Sequence, residues 1–253
     1  MKYYCEIYRK DLLIIVPFRR IHLFCKTEVN LKHTKAYILD RSLKLFNKNG
    51  FVNVRLQHIA DYCDISVGHL TYHFKHKDCI VEDLYDQLKK AQETSLYEFR
   101  MAYLFEDINR QLHQVFECQK QYLFFYLDTL EVLRAYPTIK EKHQQHISWQ
   151  IQQIEWMFGY NVDRNTFQPP VKDEQYNQLA WLFWMTMDNW MYARQIKELD
   201  HLNEDDFITD IWLLMLPWLT EEAREEMKIL SSNSTLRLLT PASCAEKQKL
   251  SVK

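Results

Sequence analysis

Apolar residues recur at helical spacing along most of this 253-residue chain. Near the N-terminus, Leu39, Leu43 and Phe46 share one face of a helix predicted over residues 33–48, and Ser42 falls on the same face. Gly50 follows that helix, at the position where a left-handed C-terminal cap is favoured. The pattern therefore predicts a first helix with a defined end.

Two shorter helices are predicted next, with a tight turn between them. The first covers residues 55–62 and has apolar residues at i, i+3, i+4 and i+7, namely Leu56, Ile59, Ala60 and Cys63. Asn53 is its predicted cap residue. Asp64 interrupts the pattern and tolerates a turn, and Ser66 can cap a third helix of about two turns.

Longer helices are predicted for the rest of the chain, because breakers are few. A fourth helix begins near Lys77 or Asp78 and runs past Tyr97. The next predicted helices cover residues 107–135, which end before Pro137, residues 138–158, which end at Gly159, and residues 174–198 and 204–229. Pro217 predicts a kink or break in the last of them. The tail from Ser231 has no sustained pattern and is predicted to be disordered.

The composition supports an all-α fold and excludes several classes of protein. Six prolines and three glycines are too few for the turns of a β-sandwich or barrel. The six cysteines are scattered without a C-x-x-C pair, which argues against a disulfide framework and a cysteine-rich zinc site. The longest N-terminal apolar run, residues 12–18, is too short to span a bilayer and no cleavage site follows it. We therefore expect a reduced cytoplasmic protein without a membrane partner.

The net charge of −2 conceals a difference between the two ends of the chain. Residues 1–30 carry six basic and three acidic side chains, and residues 31–80 carry eight and four. The remaining residues carry 18 basic and 27 acidic side chains, so the first 80 residues sum to +7 and the rest to −9. A basic module on an acidic body favours an anionic partner for the first part alone, although chance clustering on a solvated face gives the same sums.

The three N-terminal helices, with the tight turn, are typical of a helix-turn-helix. Such a unit places its last helix in the major groove of DNA. At 100° per residue Leu70 and Phe74 point inward, which leaves Gly68, His69, Thr71 and Tyr72 on the outer face. The glycine permits close approach of the backbone to DNA, and the His and Thr side chains can bond to base edges. A helix-turn-helix used only for packing is the alternative.

Other side chains around this helix are placed for phosphate oxygens rather than bases. Tyr72 and His73 follow the base-reading positions, while Lys75 and Lys77 add positive charge beside the start of the fourth helix. The full set of predicted DNA-binding residues is Arg55, Ser66, Val67, Gly68, His69, Thr71, Tyr72, His73, Lys75 and Lys77.

Residues 33–82 resemble the DNA-binding domain of the tetracycline-repressor (TetR) family. The resemblance rests on four short motifs, namely Leu-Phe-x-x-x-Gly-Phe at 45–51, Ile-Ala at 59–60, Val-Gly-x-Leu-x-x-His-Phe at 67–74 and Lys-Asp at 77–78. It implies a homodimeric, all-helical regulator that binds a near-palindromic operator in double-stranded DNA. It also implies a C-terminal domain that dimerises and holds a small-molecule inducer.

Five residues depart from the family's pattern. Val54 and Arg55 stand where the family commonly has a capping Thr or Ser, and Asp64 stands where it commonly has Gly. Val67 replaces a frequent basic residue, and Thr71 replaces a frequent Tyr. These departures bear on the operator sequence more than on the activity.

Residues 85–230 hold all seven tryptophans and most other aromatic residues. The segment 181–194 is apolar almost all round, so it is buried on every side or faces another subunit or a cavity. Mainly from the resemblance, we expect a homodimer formed through 174–198 and 204–229. A pocket for an apolar or aromatic inducer is expected among residues 100–190, although aromatic residues at helical spacing more often form a core. The candidate ligand-binding residues are Tyr122, Tyr126, Trp149, Glu155, Trp156 and Trp184.

Four polar residues in the same region are assigned structural or solvated roles. Asp128 and Asp188 sit inside apolar runs, where a structural hydrogen bond is favoured over contact with an inducer. His143 and His146 share a helical face, and pairs of this kind are more often solvated than metal-bound. We therefore expect no metal and no cofactor.

The sequence thus predicts a DNA-binding transcriptional regulator, a repressor released by its inducer, rather than an enzyme. No nucleophile elbow, P-loop or Rossmann fingerprint is present. The alternative is a helical small-molecule-binding or scaffold protein with a vestigial DNA-binding module. The predicted organisation is an extension at 1–30, a helix-turn-helix domain at 31–80, a ligand-binding and dimerisation domain at 81–230 and a tail at 231–253. The extension is either a misassigned upstream segment or a basic arm that tracks DNA.

Overall fold

The computed structural model describes residues 8–9, 12–13, 18–99, 105–197 and 202–232. The predicted all-α class is confirmed for these ranges, apart from one pair of two-residue strands. The strands β1 (Tyr8–Arg9) and β2 (Leu12–Leu13) pair antiparallel. The chain divides into two compact units, and the prediction for the C-terminal tail lies outside the described residues from 233 onward.

The first unit contains the N-terminal helices as far as Leu84, except for the loop Gly50–Val52. Its helices are α1 (Phe18–Asn49), α2 (Leu56–Tyr62), α3 (Val67–His73) and the first part of α4 (Lys77–Phe99). Gly50 has a φ of 75°, which confirms the left-handed cap predicted at the end of α1. The predicted start of that helix at residue 33 was wrong. The helix begins 15 residues earlier, at Phe18. No Gly or Pro stands between Pro17 and Gly50, so no helix-breaking residue interrupts it over this range.

The predicted cap of α2 was also wrong. Arg55, not Asn53, is the residue at the N-cap, and its backbone N–H donates to Nδ1 of His58 over 3.2 Å. The side chain of Asn53 instead donates from Nδ2 to the carbonyl oxygen of Asn49 over 2.9 Å. The histidine at the third helical position therefore serves the first turn, as the Glu or Gln of a capping box does in other helices.

The second unit contains the loop Gly50–Val52 and the chain from Tyr85 onward. Its further helices are α5 (Phe105–Gln121), α6 (Leu123–Leu127), α7 (Thr129–Ala135), α8 (Pro137–Asp163), α9 (Gln175–Ile196), α10 (Glu204–Met215) and α11 (Glu221–Ser232). A 3-10 turn at Leu216–Trp218 separates α10 from α11, which confirms the break predicted at Pro217. None of the described helices is long and apolar enough to cross a bilayer.

The single helix predicted over residues 107–135 is three helices. The chain leaves helical geometry at Tyr122 and Asp128. At the second break, the carboxylate of Asp128 accepts a hydrogen bond of 2.7 Å from the backbone N–H of Phe51. The Thr129 hydroxyl donates to the carbonyl oxygen of Phe125 over 2.5 Å, a local bond that competes with regular helix. No glycine or proline marks either break, so the sequence pattern did not reveal them.

The helix predicted to end at Gly159 continues to Asp163. Packing on both sides of the glycine explains the continuation. Met157 and Phe158 have no exposed surface, and Nδ2 of Asn161 donates to the Met157 carbonyl oxygen over 2.9 Å. Tertiary burial therefore outweighs the cost of a glycine inside a helix, which is about 1 kcal/mol relative to alanine.

Gly159→Ala will stabilise the protein by about 0.5–1 kcal/mol, because a Cβ added at this helical position meets nothing within 4 Å. Denaturant unfolding followed by circular dichroism measures the change. Gly50→Ala is the matched control and will destabilise the protein, since its φ of 75° lies in the left-handed region. A lower unfolding midpoint for Gly159→Ala would contradict the prediction.

The core of the second unit is built largely from aromatic rings in edge-to-face contact. The ring of Phe158 lies 5.5 Å from Phe167 and 5.7 Å from Phe183, at interplanar angles of 86° in both cases. Trp212 is fully buried and its Nε1 donates to Oδ1 of Asn109 over 3.2 Å. Edge-to-face pairs of this kind contribute about 0.5–1.5 kcal/mol beyond their burial. They fix α5, α8, α9 and α10 around one interior.

Candidate DNA-binding surface and ligand cavity

The turn between α2 and α3 is fixed by two residues that the sequence singled out. Asp64 adopts a φ of 55°, which its short polar side chain tolerates. The Ser66 hydroxyl accepts a hydrogen bond of 3.1 Å from the backbone N–H of His69, which caps α3. Both predictions are confirmed, and together these residues set the direction in which α3 leaves the turn.

The inner face of α3 is anchored in the core of the first unit. Leu70 is 0% and Phe74 2% exposed. Lys35 lies over the Phe74 ring, 5.0 Å from its centroid, and pairs with Asp83 over 2.9 Å. Buried side chains of this size each contribute about 1.5–3 kcal/mol, so α3 cannot rotate without losing them. The opposite face is therefore presented to solvent in a fixed orientation.

The outer face carries the side chains predicted to read DNA. His69 is exposed, and Tyr72 is 76% exposed with its ring edge against His73. Thr71 is half-buried, and its hydroxyl donates to the Gly68 carbonyl oxygen over 3.1 Å. The threonine hydroxyl can therefore accept a hydrogen bond from a base while its methyl group remains free for apolar contact.

Gly68 has no structural reason to be glycine. It is not among the glycines with positive φ, and a Cβ added there would meet only Oγ of Ser66, at 3.9 Å. A glycine inside a helix destabilises it by roughly 0.5–1 kcal/mol relative to alanine. The fold therefore does not require glycine at this position, and its predicted role in close approach to DNA stays a prediction.

The remaining predicted contact residues lie at the ends of the neighbouring helices. Arg55 at the start of α2 and Lys75 before α4 are exposed, and Ser66 and Val67 open α3. Lys77 is half-buried, and its ammonium group lies 5.5 Å from the centroid of the Phe46 ring. The lysine at the start of α4 therefore contributes to packing as well as to the charge of this surface.

Comparison with known proteins assigns this chain to a family. The family model described as "Bacterial regulatory proteins, tetR family" matches residues 38–84, and the one described as "Bacterial transcriptional repressor" matches residues 80–227. The chain belongs to the TetR family. The resemblance found in residues 33–82 is thereby confirmed, and the matches extend through the second unit.

Two curated relatives match over short segments. The probable HTH-type transcriptional regulator YttP of Bacillus subtilis is 35% identical over 66 residues, covering 24% of this chain and 32% of the relative. The HTH-type transcriptional regulator AcrR of Shigella flexneri is 30% identical over 78 residues, covering 31% and 34%. The chain thus spans about a third of the length of these relatives.

Solved structures match over most of their length. A TetR-family regulator from Marinobacter aquaeolei VT8 has a TM-score of 0.72 and 27% identity, covering 79% of this chain and 98% of that one. The SmeT–triclosan complex has a TM-score of 0.56 and 14% identity, covering 76% and 94%, and therefore shares the fold alone.

Two adjoining cavities lie inside the second unit. The inner one has a volume of ≈ 30 Å³ and is lined by residues of α4, α5, α6, α8 and α9. The outer one is a cleft of ≈ 490 Å³ along α6, α7, α8 and α9. Tyr126, Trp184 and Asp188 line both cavities, so they form the boundary between them.

Most polar side chains near the inner cavity bond to one another. Nε2 of Gln92 donates to the Tyr126 hydroxyl over 2.7 Å, and Nε2 of His146 pairs with Oε1 of Gln92 over 2.9 Å. Nε1 of Trp184 donates to Oε1 of Gln150 over 3.1 Å. This network satisfies its own donors and holds the cavity walls in place.

His143 and His146 are not solvated, in contrast to the prediction. They are 5% and 2% exposed, because α6 and α4 cover the face of α8 on which they lie. Burial lowers the pKa of each imidazole to about 4, so both are neutral at pH 7. Within the described ranges, no group of His, Cys, Asp and Glu is arranged to hold a metal ion.

The two aspartates of the apolar runs have different environments. The expected structural hydrogen bond is present for Asp128, which accepts from Phe51. For Asp188, no residue that the structure describes donates a hydrogen bond to the carboxylate. The side chain keeps part of its surface open to the cavities, while burial raises the pKa of its carboxyl group to about 7.

The candidate ligand-binding residues fall in different places. Tyr126 and Trp184 line both cavities, whereas Tyr122 lines a separate surface cleft between α4 and α5. Trp149 stacks on His146, with ring centroids 5.4 Å apart. The other two lie on α8 away from these cavities, since Glu155 accepts from Asn177 and Trp156 is 44% exposed.

Sequence reasoning missed several polar residues that line the inner cavity, namely Gln92, Ser95, Gln119 and Gln150. Each is a single uncharged polar side chain on a long helix. Only the assembly of α4, α5 and α8 brings them to one place, so helical spacing alone gave no signal for them.

Proposed function

We propose that this protein is a transcriptional repressor that acts in the cytoplasm as a homodimer on a near-palindromic operator. The observation that carries the proposal is the outer face of α3. There Gly68 serves no packing purpose while His69 and Tyr72 stand exposed on a rigidly anchored helix. A helix presented in this way fits the major groove, with its first turn toward the base edges.

Release from DNA is proposed to follow binding of a small molecule in the cleft of the second unit. Asp128 lines that cleft and accepts the hydrogen bond from the backbone N–H of Phe51. The loop that contains Phe51 joins α1 to α2. A ligand that displaces Asp128 would therefore change the population of loop conformations next to the helix-turn-helix. SmeT, which has the same fold, forms a complex with triclosan, and this supports a small apolar or aromatic inducer.

Genomic footprinting, followed by a shift assay on the protected sites, tests the proposed function. We expect sites with two half-sites spaced by about one helical turn or a multiple of it, near 10 bp. Affinity should fall steeply as salt rises, because basic side chains displace counterions from the phosphates. Absence of a retarded complex at low salt on every protected region would overturn the proposal.

A further inference from the structure

We propose that the ligand is an organic ammonium ion whose N–H groups bond to Asp188 and Gln119 and whose apolar body lies in the outer cleft. This inference rests on the proposed ligand-responsive function and names the chemistry of the same site. It differs from a purely apolar or aromatic inducer, because it requires a charged head group with hydrogen-bond donors.

The first argument is the charge of Asp188. Among the described residues no donor reaches its carboxylate, and no Lys, Arg or His lines the inner cavity. In the outer cleft, the one arginine in the lining, Arg134, is held by Glu131 over 2.7 Å, and His143 is neutral at pH 7. With a pKa of about 7, this carboxyl group is ionised in only part of the molecules at pH 7, and a bound cation would favour its ionised form.

The second argument is the amide of Gln119, which lines the same inner cavity. Its Nε2 donates to the Met187 carbonyl oxygen over 2.9 Å, and this bond fixes which end of the amide faces inward. Its Oε1 is buried and has no hydrogen-bond partner. An unsatisfied buried acceptor costs free energy that a donor from a ligand would recover. Gln119 and Asp188 both line the inner cavity, so both acceptors belong to the wall of one site.

The two acceptors select among ligand head groups. An anionic ligand would be repelled by the carboxylate, and an alcohol has only one donor to offer. An ammonium group has up to three N–H donors and a charge that favours the ionised form of Asp188. Trp184 and Tyr126 line the same boundary, and aromatic rings attract cations at their faces. Gln92 and Tyr126 bond to each other, as do Trp184 and Gln150, so these wall groups already have partners.

The volumes of the two cavities agree with an ammonium head group in the inner cavity and an apolar body in the outer cleft. The inner cavity of ≈ 30 Å³ has the size of a water molecule or a small ammonium head group. The cleft of ≈ 490 Å³ is in the range of small-molecule sites. Since Asp188 lines both, a head group bonded to it leaves its substituent in the cleft.

Matched amines and alcohols test the inference on the full-length protein without DNA. The probes are 2-phenylethylamine and tryptamine, each compared at pH 7 with its uncharged analogue, 2-phenylethanol or tryptophol. Isothermal titration should give about 10- to 100-fold tighter binding of the amines, the range expected for hydrogen bonds to a charged group. Asp188→Asn should abolish that preference and leave binding of the alcohols within about twofold.

Two further variants keep the test decisive. Gln119→Leu removes the second acceptor and should weaken amine binding several-fold while Asp188 remains. Asp107→Asn, which loses an acid paired with Arg110 over 2.6 Å on α5, should bind the amines as the unmodified protein does. Circular dichroism and thermal unfolding of each variant establish that it is folded.

Equal binding of amines and alcohols, no binding of either amine, or an amine preference that survives in Asp188→Asn would overturn the inference. These outcomes are separate from the fate of the proposed function. A protein that shifts operator DNA but ignores amines would refute only the ligand chemistry. A protein that binds amines selectively but does not bind DNA would refute only the regulatory role.

Discussion

Replacing His69 and Tyr72 together with alanine will reduce operator affinity by about 100-fold or more. Removing a bond to a base or phosphate costs about 1–3 kcal/mol, and in a dimer both half-sites are affected. Both side chains lie on the exposed face of α3, and Tyr72 is 76% exposed, so the fold should be unaffected. The weaker binding therefore reflects recognition rather than stability.

A shift assay at fixed salt measures this effect on a footprinted operator. The matched control is His113→Ala with Tyr160→Ala, which removes the same two side-chain types from helices α5 and α8 of the second unit. Its operator affinity should be unchanged. Wild-type affinity in the His69→Ala, Tyr72→Ala protein would refute α3 as the recognition helix.

Gly68→Ala sharpens the same test because stability and DNA binding should respond in opposite directions. The added Cβ meets only Oγ of Ser66 at 3.9 Å, and alanine favours the helix by roughly 0.5–1 kcal/mol. If the glycine is there to let DNA approach, the variant will unfold at a higher temperature and bind the operator more weakly. An unchanged affinity would show that close approach at this position has no role.

The recognition unit could be predicted from sequence because its signals are local. The spacing of Leu70 and Phe74, the cap at Ser66 and the turn at Asp64 each depend on residues within one or two helical turns. Their chemistry does not require a distant partner. Local propensity and tertiary packing agree in this region, which is the condition under which pattern reasoning succeeds.

The second unit was harder to predict because its decisive contacts are long-range. The break at Asp128 depends on a hydrogen bond from Phe51, 77 residues earlier in the chain. The burial of His143 depends on Tyr85 and Phe125, which contact it from other helices. The unpaired oxygen of Gln119 is defined only once the surrounding helices exclude water. No periodicity within one helix encodes such contacts.

The sequence pattern showed that α9 is apolar on nearly every side, but it did not show which of its faces is buried. Its apolar residues surround the helix because two faces are apolar for different reasons. Phe183, Met187 and Met191 point into the core and are 0–5% exposed. A second set remains open to solvent in the single chain, namely Trp181, Leu182, Met185, Tyr192 and Ile196, which are 39–63% exposed. Contiguous exposed apolar surface of this kind is typical of a site covered by another protein chain.

Replacing Leu182 and Met185 together with glutamate will convert the proposed homodimer to a monomer. Because an isologous interface repeats each residue, the two substitutions place four carboxylates in one apolar contact. Each buried charge without a partner costs several kcal/mol, so the dissociation constant of the dimer should rise by a factor of about 100 or more. Sedimentation velocity across a range of concentrations measures the change, and a double variant that remains a dimer would refute this face as the interface.

Dissociation of the dimer will also remove most of the affinity for the operator. A monomer engages one half-site, whereas in the dimer the second half-site is bound at the high effective concentration that the first contact provides. We expect a decrease of about 100-fold or more although α3 is untouched. Val171→Glu is the matched control, since this valine is 87% exposed in the loop before α9 and outside the apolar face. It should remain dimeric and bind the operator normally, so that added negative charge alone is excluded as the cause.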